Sequence, residues 1–472
     1  MVFQNNVISG AAGSGTAVHT IDQSIRFNDD DSAQMSRTPS SSSTSQRAFS
    51  ISMWVKRGNL TSGNRGIISW EGANDNNELR LYFDDDALIW SYYPASNVAN
   101  ITTNRLFRDT SAWYNILVVS DTENAVSSER WKMYINGQRE TSFSSSTFPS
   151  QNTDIALFSS TSYATRIGKA RSSSTSTFDG YLAEIVVIDG QALDPSSFGE
   201  VNDSGIWVPK SVSGLTFGTN GFHIDGRDSA DLGDDESGNG NDYTTSGLTA
   251  DDQMPDTPTN NQITFNPLNN QRSGGTLSEG NLRYVGPGTR TLIGLTANVP
   301  STGKWAVAYT VDQVSTTAGW QIGLSTANDS DFGDAAGSNE DLDICRIQPS
   351  SSNFEISDKI NNSFITTSLT LSTSDELWVV VNMDTGDIFL GLYDASDTSM
   401  KFLAADGDFD GDPANGTNPT ITTTATQMPR DNVLFSVCSK QTSQFINLKK
   451  STELSGTTPT GFTYFENVKD LI

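Results

Sequence analysis

The feature that most constrains this chain is a succession of short runs in which apolar and polar residues alternate with a period of two, each closed by turn residues. Residues 48–55 read AFSISMWV, placing Phe49, Ile51 and Met53 on one face of an extended strand and Ser50, Ser52 and Trp54 on the other. That is the pattern of a strand laid against a core. Comparable runs fall at 66–70, 78–83, 87–92, 114–120, 130–135 and 180–188, and a second series at 303–314, 319–324, 342–347, 376–383, 388–393 and 432–437. Ile135-Asn136-Gly137-Gln138 is the signature of a tight hairpin, because a type I′ turn needs φ > 0 at both central residues. Helical periodicity is nearly absent, with one turn expected at 194–198. Many short strands and frequent turns predict an all-β chain of antiparallel sandwiches or jelly rolls. No fixed-period repeat points to a solenoid or propeller.

At 472 residues the chain exceeds what one hydrophobic core usually supports, so two domains are expected. Its 23 Phe, 12 Tyr and 9 Trp can fill both cores despite an overall hydrophobic fraction of 35%. The texture changes between 208 and 272, where DSADLGDDESGNGNDYTTSGLTADDQMPDTPTNNQ is acidic and rich in Gly, Asn, Thr and Pro. This reads as an extended connector pinned by Phe217, Phe222 and Tyr243, or as a disordered linker. The expected layout is an N-terminal arm at 1–20, a sandwich at 21–207, the connector at 208–272 and a second sandwich at 273–472.

The net charge is −27. It divides as −7 over residues 1–205 (15 basic, 22 acidic), −7 over 206–272 (3 and 10) and −13 over 273–472 (11 and 24). Binding a phosphate backbone needs clustered cations, so nucleic acid is excluded as a partner. An anionic membrane surface would repel the chain unless divalent cations intervened. No run reaches transmembrane length, and the first residues, MVFQNNVISGAAGSG, lack the basic-then-apolar order of a signal peptide. Cys345 and Cys438 lie in apolar strand-like runs and are expected as buried free thiols. The reading is a chain made in a cytoplasm and stable without disulfides.

The first half resembles the laminin-G, pentraxin and concanavalin-A-like jelly rolls. The blocks that carry this are IRFNDDDSAQM (25–35), AFSISMWVKRG (48–58), GIISWEGANDNNELRLYF (66–83), WYNILVVSD (113–121), RWKMYINGQRE (130–140) and FDGYLAEIVVIDGQAL (178–193). The second half resembles a SPRY-type sandwich through GKWAVAYTVDQV (303–314), GWQIGLS (319–325), DELWVVVNMDTGDIFLGLYD (375–394), GDPANGTNPTI (411–421) and QFINL (444–448). The tandem, opening on IDQSIRFNDDDSAQMSR, resembles virion structural proteins of marine tailed bacteriophages. The resemblance implies a virion-surface location, other virion proteins as partners, and a homo-oligomer such as a trimer.

Two metal candidates stand out. Pentraxin-like domains hold calcium partly through an Asp-Asn-Glu stretch, and Asn76-Asn77-Glu78 with Asp75 occupies the corresponding place. The later acidic loop of that family is replaced here by GKARSSSTSTFDG, with Lys169 and Arg171 where carboxylates are expected. The second candidate is DGDFDGD, where Asp406, Asp408, Asp410 and Asp412 alternate around glycines as in the first half of a calcium loop; position twelve is Thr417, not Glu. For sugar, an exposed aromatic with amide and carboxylate neighbours is needed, because CH faces stack on rings while hydroxyls need planar partners. Trp90 and Tyr92 with Asn74, Asp75, Asn76 and Asn77 form the available set. Alternation puts Trp90 and Tyr92 on one face and Tyr93 on the other, and one of those faces must be core.

Catalysis has little to work with. His19 and His223 are the only histidines and lie far apart in sequence, which disfavours triads and histidine zinc sites. The leading expectation is a non-catalytic virion surface protein, a tail fibre or appendage, that binds host glycan or receptor. A structural capsid-decoration or fibre-scaffold role is the alternative. A glycan hydrolase would instead need paired carboxylates in a cleft.

Overall fold

A computed structural model describes residues 19–60, 62–71, 78–94, 99–170, 176–269, 275–288, 291–313, 319–326, 344–350, 353–358, 363–366, 371–424, 427–439 and 444–467. Two compact units divide between Gln262 and Ile263, and both are antiparallel β-sandwiches. No helix among the described residues is long and apolar enough to cross a membrane.

The first unit runs through β1 (Ser24–Phe27), β2 (Gln34–Arg37), β3 (Ala48–Arg57), β4 (Asn64–Trp70), β5 (Glu78–Asp84), β6 (Ala87–Tyr93), β7 (Ala99–Leu106), β8 (Tyr114–Asp121), β9 (Trp131–Ile135), β10 (Gln138–Arg139) and β11 (Phe143–Thr147). It continues with β12 (Thr165–Ile167), β13 (Gly180–Asp189), β14 (Gly199–Val201), β15 (Trp207–Pro209), β16 (Phe222–Ile224), β17 (Thr244–Ser246) and β18 (Gln253–Met254). One sheet has the order β10-β9-β8-β3-β13-β1-β18, with β16 also on β13; the other has the order β11-β7-β6-β5-β4-β12-β2-β17. Non-neighbouring strands meet in both sheets, the mark of a jelly roll rather than a meander.

The alternating runs position the core. Phe49, Ile51 and Met53 of β3 join Leu79, Leu81 and Phe83 of β5 in one buried cluster between the sheets. Asn136 (φ 49°) and Gly137 (φ 71°) turn the β9–β10 hairpin, as the Asn-Gly pair requires. The expected single turn forms as a 3₁₀ helix at Pro195–Ser197.

Residues 208–262 depart from the expected connector. β16 pairs with β13, β17 with β2 and β18 with β1, so this stretch adds strands to both sheets of the first unit. Phe198, Val212 and Phe217 cover Leu117, Val119, Val186 and Ile188 on the far side of β8 and β13, which buries those strands on both faces. A polar composition suits this course, because the segment is held by hydrogen bonds as well as by apolar anchors. Lys56 Nζ lies 2.8 Å from Asp256 Oδ2 with both side chains 1% exposed, and it also donates to Asn261 Oδ1 and the Gln262 carbonyl, each at 2.9 Å. Trp113 Nε1 and the Gln262 backbone N–H donate to Asp256 Oδ1.

The second unit pairs a sheet built on Lys304–Val311, Glu376–Asn382 and Asp387–Asp394 with one built on Trp320–Thr326, Cys345–Ser350 and Val433–Ser439. Trp378, Val380, Phe389, Ala306 and Tyr464 pack together in its core. Cys345 and Cys438 are buried and form no disulfide.

Candidate functional site

The outward face of the β11–β17 sheet is the best-defined candidate surface. Register aligns Thr147 with Asn100, Asn100 with Ser91, Ser91 with Arg80, Arg80 with Ser69, Ser69 with Arg166, Arg166 with Ser36 and Ser36 with Thr244. One polar residue from each strand thus forms a continuous row across the sheet, while the flanking positions Leu79, Leu81, Trp90, Ile101, Ile68 and Trp70 point into the core. Period-two geometry makes this sorting obligatory.

The centre of the row is charged and preorganised. Arg166 Nε donates to Glu71 Oε1 and Nη1 to Gln34 Oε1, both at 3.1 Å. Arg80 Nε lies 3.3 Å from Glu78 Oε2, and its guanidinium sits 5.1 Å from the centroid of the Tyr82 ring. These guanidiniums are only 13% and 18% exposed, so their geometry is fixed by packing. Tyr82 and Ile89 form an apolar strip beside the row but are themselves buried, as is Glu78, and only Tyr93, opposite Glu78, stands exposed. Planar guanidinium, carboxylate and amide groups next to an aromatic ring are the chemistry that pairs sugar hydroxyls and stacks sugar CH faces.

The expected ligand set is only partly placed. Asn74, Asp75, Asn76 and Asn77 lie outside the described residues; the residues that flank them in sequence, Glu71 and Glu78, both belong to the charged centre of this face. Trp90 and Tyr92 are not on the surface. Trp90 is fully buried and stacked on Trp131 at 3.8 Å between ring centroids, and the Tyr92 hydroxyl donates to the Asp154 carbonyl. Burying such aromatics contributes roughly 1.5–3 kcal/mol each to the fold, and it removes them as ligand contacts. Leu88 precedes them in the same phase and marks that face as core. The same alternation in ELRLYF points Glu78, Arg80 and Tyr82 outward, so the signal for the candidate face was present in the sequence.

The acidic loop 406–412 does not gather into a metal site. Asp406, Asp408 and Asp410 are exposed. Asp410 accepts from Asn418 Nδ2 at 2.9 Å, Asp412 from Asn415 Nδ2 at 2.6 Å, and Asp406 from the Asp408 backbone N–H at 3.1 Å. The carboxylates of Asp406, Asp410 and Asp412 each accept within the loop instead of converging on a centre. Among the described residues no group of three or more His, Cys, Asp or Glu is arranged to hold a metal.

The two histidines, distant in sequence, meet on one carboxylate. His223 Nε2 lies 2.8 Å from Glu184 Oε2, and His19 Nε2 lies 3.5 Å from Glu184 Oε1. Glu184 sits at a bulge in β13 with φ 48°, a device that re-aims a side chain. Burial pushes its carboxyl upward, but hydrogen bonds and charge from both imidazoles outweigh that and hold it at about 2. His19 is raised, chiefly by its hydrogen bond to Glu184. The adjoining cavity, lined by Thr20, Asp22, Gln23, Asp225 and Arg227, measures about 50 Å³, room for a water or two and too little for a sugar ring. Among the described residues neither imidazole is hydrogen-bonded to a hydroxyl or thiol that it could activate. The trio pins the segment at His19 to the sheet, and among the described residues it has no partner for a nucleophilic relay.

Comparisons with known proteins agree with the fold. No curated protein matches the chain. Among solved structures, similarity extends to the heptameric SAP-like pentraxin of Limulus polyphemus, with 19% identity, TM-score 0.27, and 38% of this chain against 80% of that one. It extends to the mouse laminin alpha1 LG4-5 domains, with 11% identity, TM-score 0.29, and 90% against 84%. It also extends to the SPRY domain of human HERC1, with 14% identity, TM-score 0.25, and 40% against 98%. At these scores they bear on neither ligand nor activity. The family Laminin_G_3, described as the concanavalin A-like lectin/glucanases superfamily, matches residues 28–197, within the first sandwich.

Proposed function

We propose that this chain is a non-catalytic recognition protein whose first sandwich binds glycan on the outward face centred on Arg80, Tyr82 and Arg166. The observation that carries the reading is the unbroken polar row across the sheet, with half-buried, pre-paired guanidiniums beside the Tyr82 ring. We further propose that it acts on a bacteriophage virion, as a tail fibre or appendage that engages a host surface glycan or receptor. The sequence resemblance to marine phage virion proteins supports this. Copies arranged as a homo-oligomer, with a trimer the simplest case, would multiply weak single-site contacts into useful avidity.

The test is binding of the purified full chain to a glycan array and to whole cells, with calcium and again with chelator. Saturable binding is expected. Arg80→Ala should weaken it roughly tenfold or more, equivalent to about 1.4 kcal/mol; because it also leaves the buried Glu78 carboxylate without its cation, the melting temperature should fall as well, and binding is compared at a temperature where the variant is folded. A folded wild-type protein that binds no glycan or cell in either condition would overturn the reading in favour of a capsid-decoration or fibre-scaffold role. Binding that survives both Arg80→Ala and Tyr82→Ala would move the site elsewhere.

A further inference from the structure

Three strand ends meet at one end of the β3–β13–β1 sheet. Phe27, the last residue of β1, pairs with Gly180, the first of β13, and Gly180 pairs with Arg57, the last of β3. This register brings together the turn 28–31, Gly58 with Asn59, and Asp179. Asp179 is buried, 4% exposed, and neither of its carboxylate oxygens accepts a well-formed hydrogen bond. It faces the Asp29 carboxylate, with the charge of Asp30 close by; the neighbouring Asn59 backbone N–H offsets only part of this. Asn59 Nδ2 lies 3.5 Å from Asp29 Oδ2. A Cβ on Gly58 would stand 1.8 Å from Asp179 Oδ1, so the glycine is what lets the carboxylate occupy this place.

A buried carboxylate with so little donation to it is costly as an anion, and a second carboxylate beside it makes the cost greater. The fold nevertheless holds the pair in place on three strand ends. Asp29 is only partly buried, so the pair is open to solvent on one side. The groups gathered here are two carboxylates, the Asn59 side-chain amide, whose nitrogen faces Asp29 and whose oxygen a flip of the amide would present instead, and the backbone of two turns. With no third carboxylate, His or Cys arranged for a metal among the described residues, the rest of a coordination shell falls to amide and carbonyl oxygens and water. That is a hard, irregular, oxygen-only set of the kind calcium accepts and magnesium, with its strict octahedron, disfavours.

We propose that Asp29 and Asp179, with oxygens of the 28–31 turn and of the Gly58–Asn59 segment, bind one calcium ion that clamps the ends of β1, β3 and β13. The site shares no residue with the acidic loop 406–412 or with the proposed glycan face.

The test is thermal melting and calorimetric titration of the full chain after removal of divalent cations. Calcium should raise the melting temperature saturably, and magnesium should do so much less. Asp179→Asn and Asp29→Asn should each weaken calcium binding roughly tenfold or more and abolish the calcium-dependent shift, while Asp410→Asn keeps it. In chelator, Asp179→Asn should melt at or above the wild type, since the uncompensated buried charge is gone. If Asp179→Asn does not fold, the more exposed Asp29→Asn decides the matter. A stripped wild type that binds no calcium at millimolar concentration, and whose stability rises as the pH falls, would show a shared proton and overturn the proposal. A calcium shift that persists in both Asp→Asn variants would overturn it as well.

Discussion

Two stretches of this chain look alike on paper and behave in opposite ways. Residues 225–262 and 406–412 are both rich in Asp, Gly and Asn. In the first, Asp256 is 1% exposed and locked to Lys56 and Trp113. Asp235, also buried, accepts from the backbone N–H groups of His223, Ser237 and Asn241 at 2.8–2.9 Å. In the second, Asp406, Asp408 and Asp410 are exposed and Asp412 is half-buried, and Asp410 and Asp412 accept from nearby asparagine amides. The difference lies in sequence distance. Asp256 reaches a lysine 200 positions away, whereas Asp410 and Asp412 find partners 8 and 3 residues on. An acidic, glycine-rich segment is therefore a connector only if the rest of the fold offers it no donors.

Variants can break or sharpen this contrast. Asp256→Ala leaves a buried lysine unpaired and should destabilise the first sandwich by about 3–5 kcal/mol, read by denaturant unfolding; a loss below about 1 kcal/mol would mean that the 253–262 segment is not locked. Asp235→Ala orphans buried backbone donors and should cost about 1–3 kcal/mol. His19→Gln tests a partly exposed contact, worth under about 1 kcal/mol once solvent screening is allowed for, and its effect depends on pH. A raised His19 contributes fully below its ordinary 6.5 and loses that contribution as the pH rises through its folded value. A depressed Glu184 contributes above its ordinary 4.5 and loses that as the pH falls toward about 2. The melting gap between wild type and variant should therefore be widest between 4.5 and 6.5 and close in alkaline buffer; a gap independent of pH would sink the electrostatic account. Asp408→Asn, in the exposed loop, should change stability by no more than about 0.5 kcal/mol.

The alternating runs were legible because a strand's period is two and burial enforces it. AFSISMWV is β3, and the predicted 87–92 run is β6 with its phase as read. The same rule held the key to the candidate face, since Leu79, Leu81 and Phe83 leave Glu78, Arg80 and Tyr82 outside. Choosing Trp90 and Tyr92 weighted aromatic identity over phase. The Glu184 trio was not legible, because its members come from positions 19, 184 and 223 and no local pattern links them.

Local chemistry by itself determined the all-β class, the Asn136-Gly137 hairpin and the core-facing phase of alternating strands such as β5 and β6, since these depend on neighbours two to four residues apart. Only the tertiary structure decided that 208–262 belongs to the first sandwich and that Asp29 and Asp179 face each other beside Gly58. Those outcomes rest on strand order and register between residues tens to hundreds of positions apart, where burial converts an ordinary acidic residue into a lock, a pin or a cation ligand.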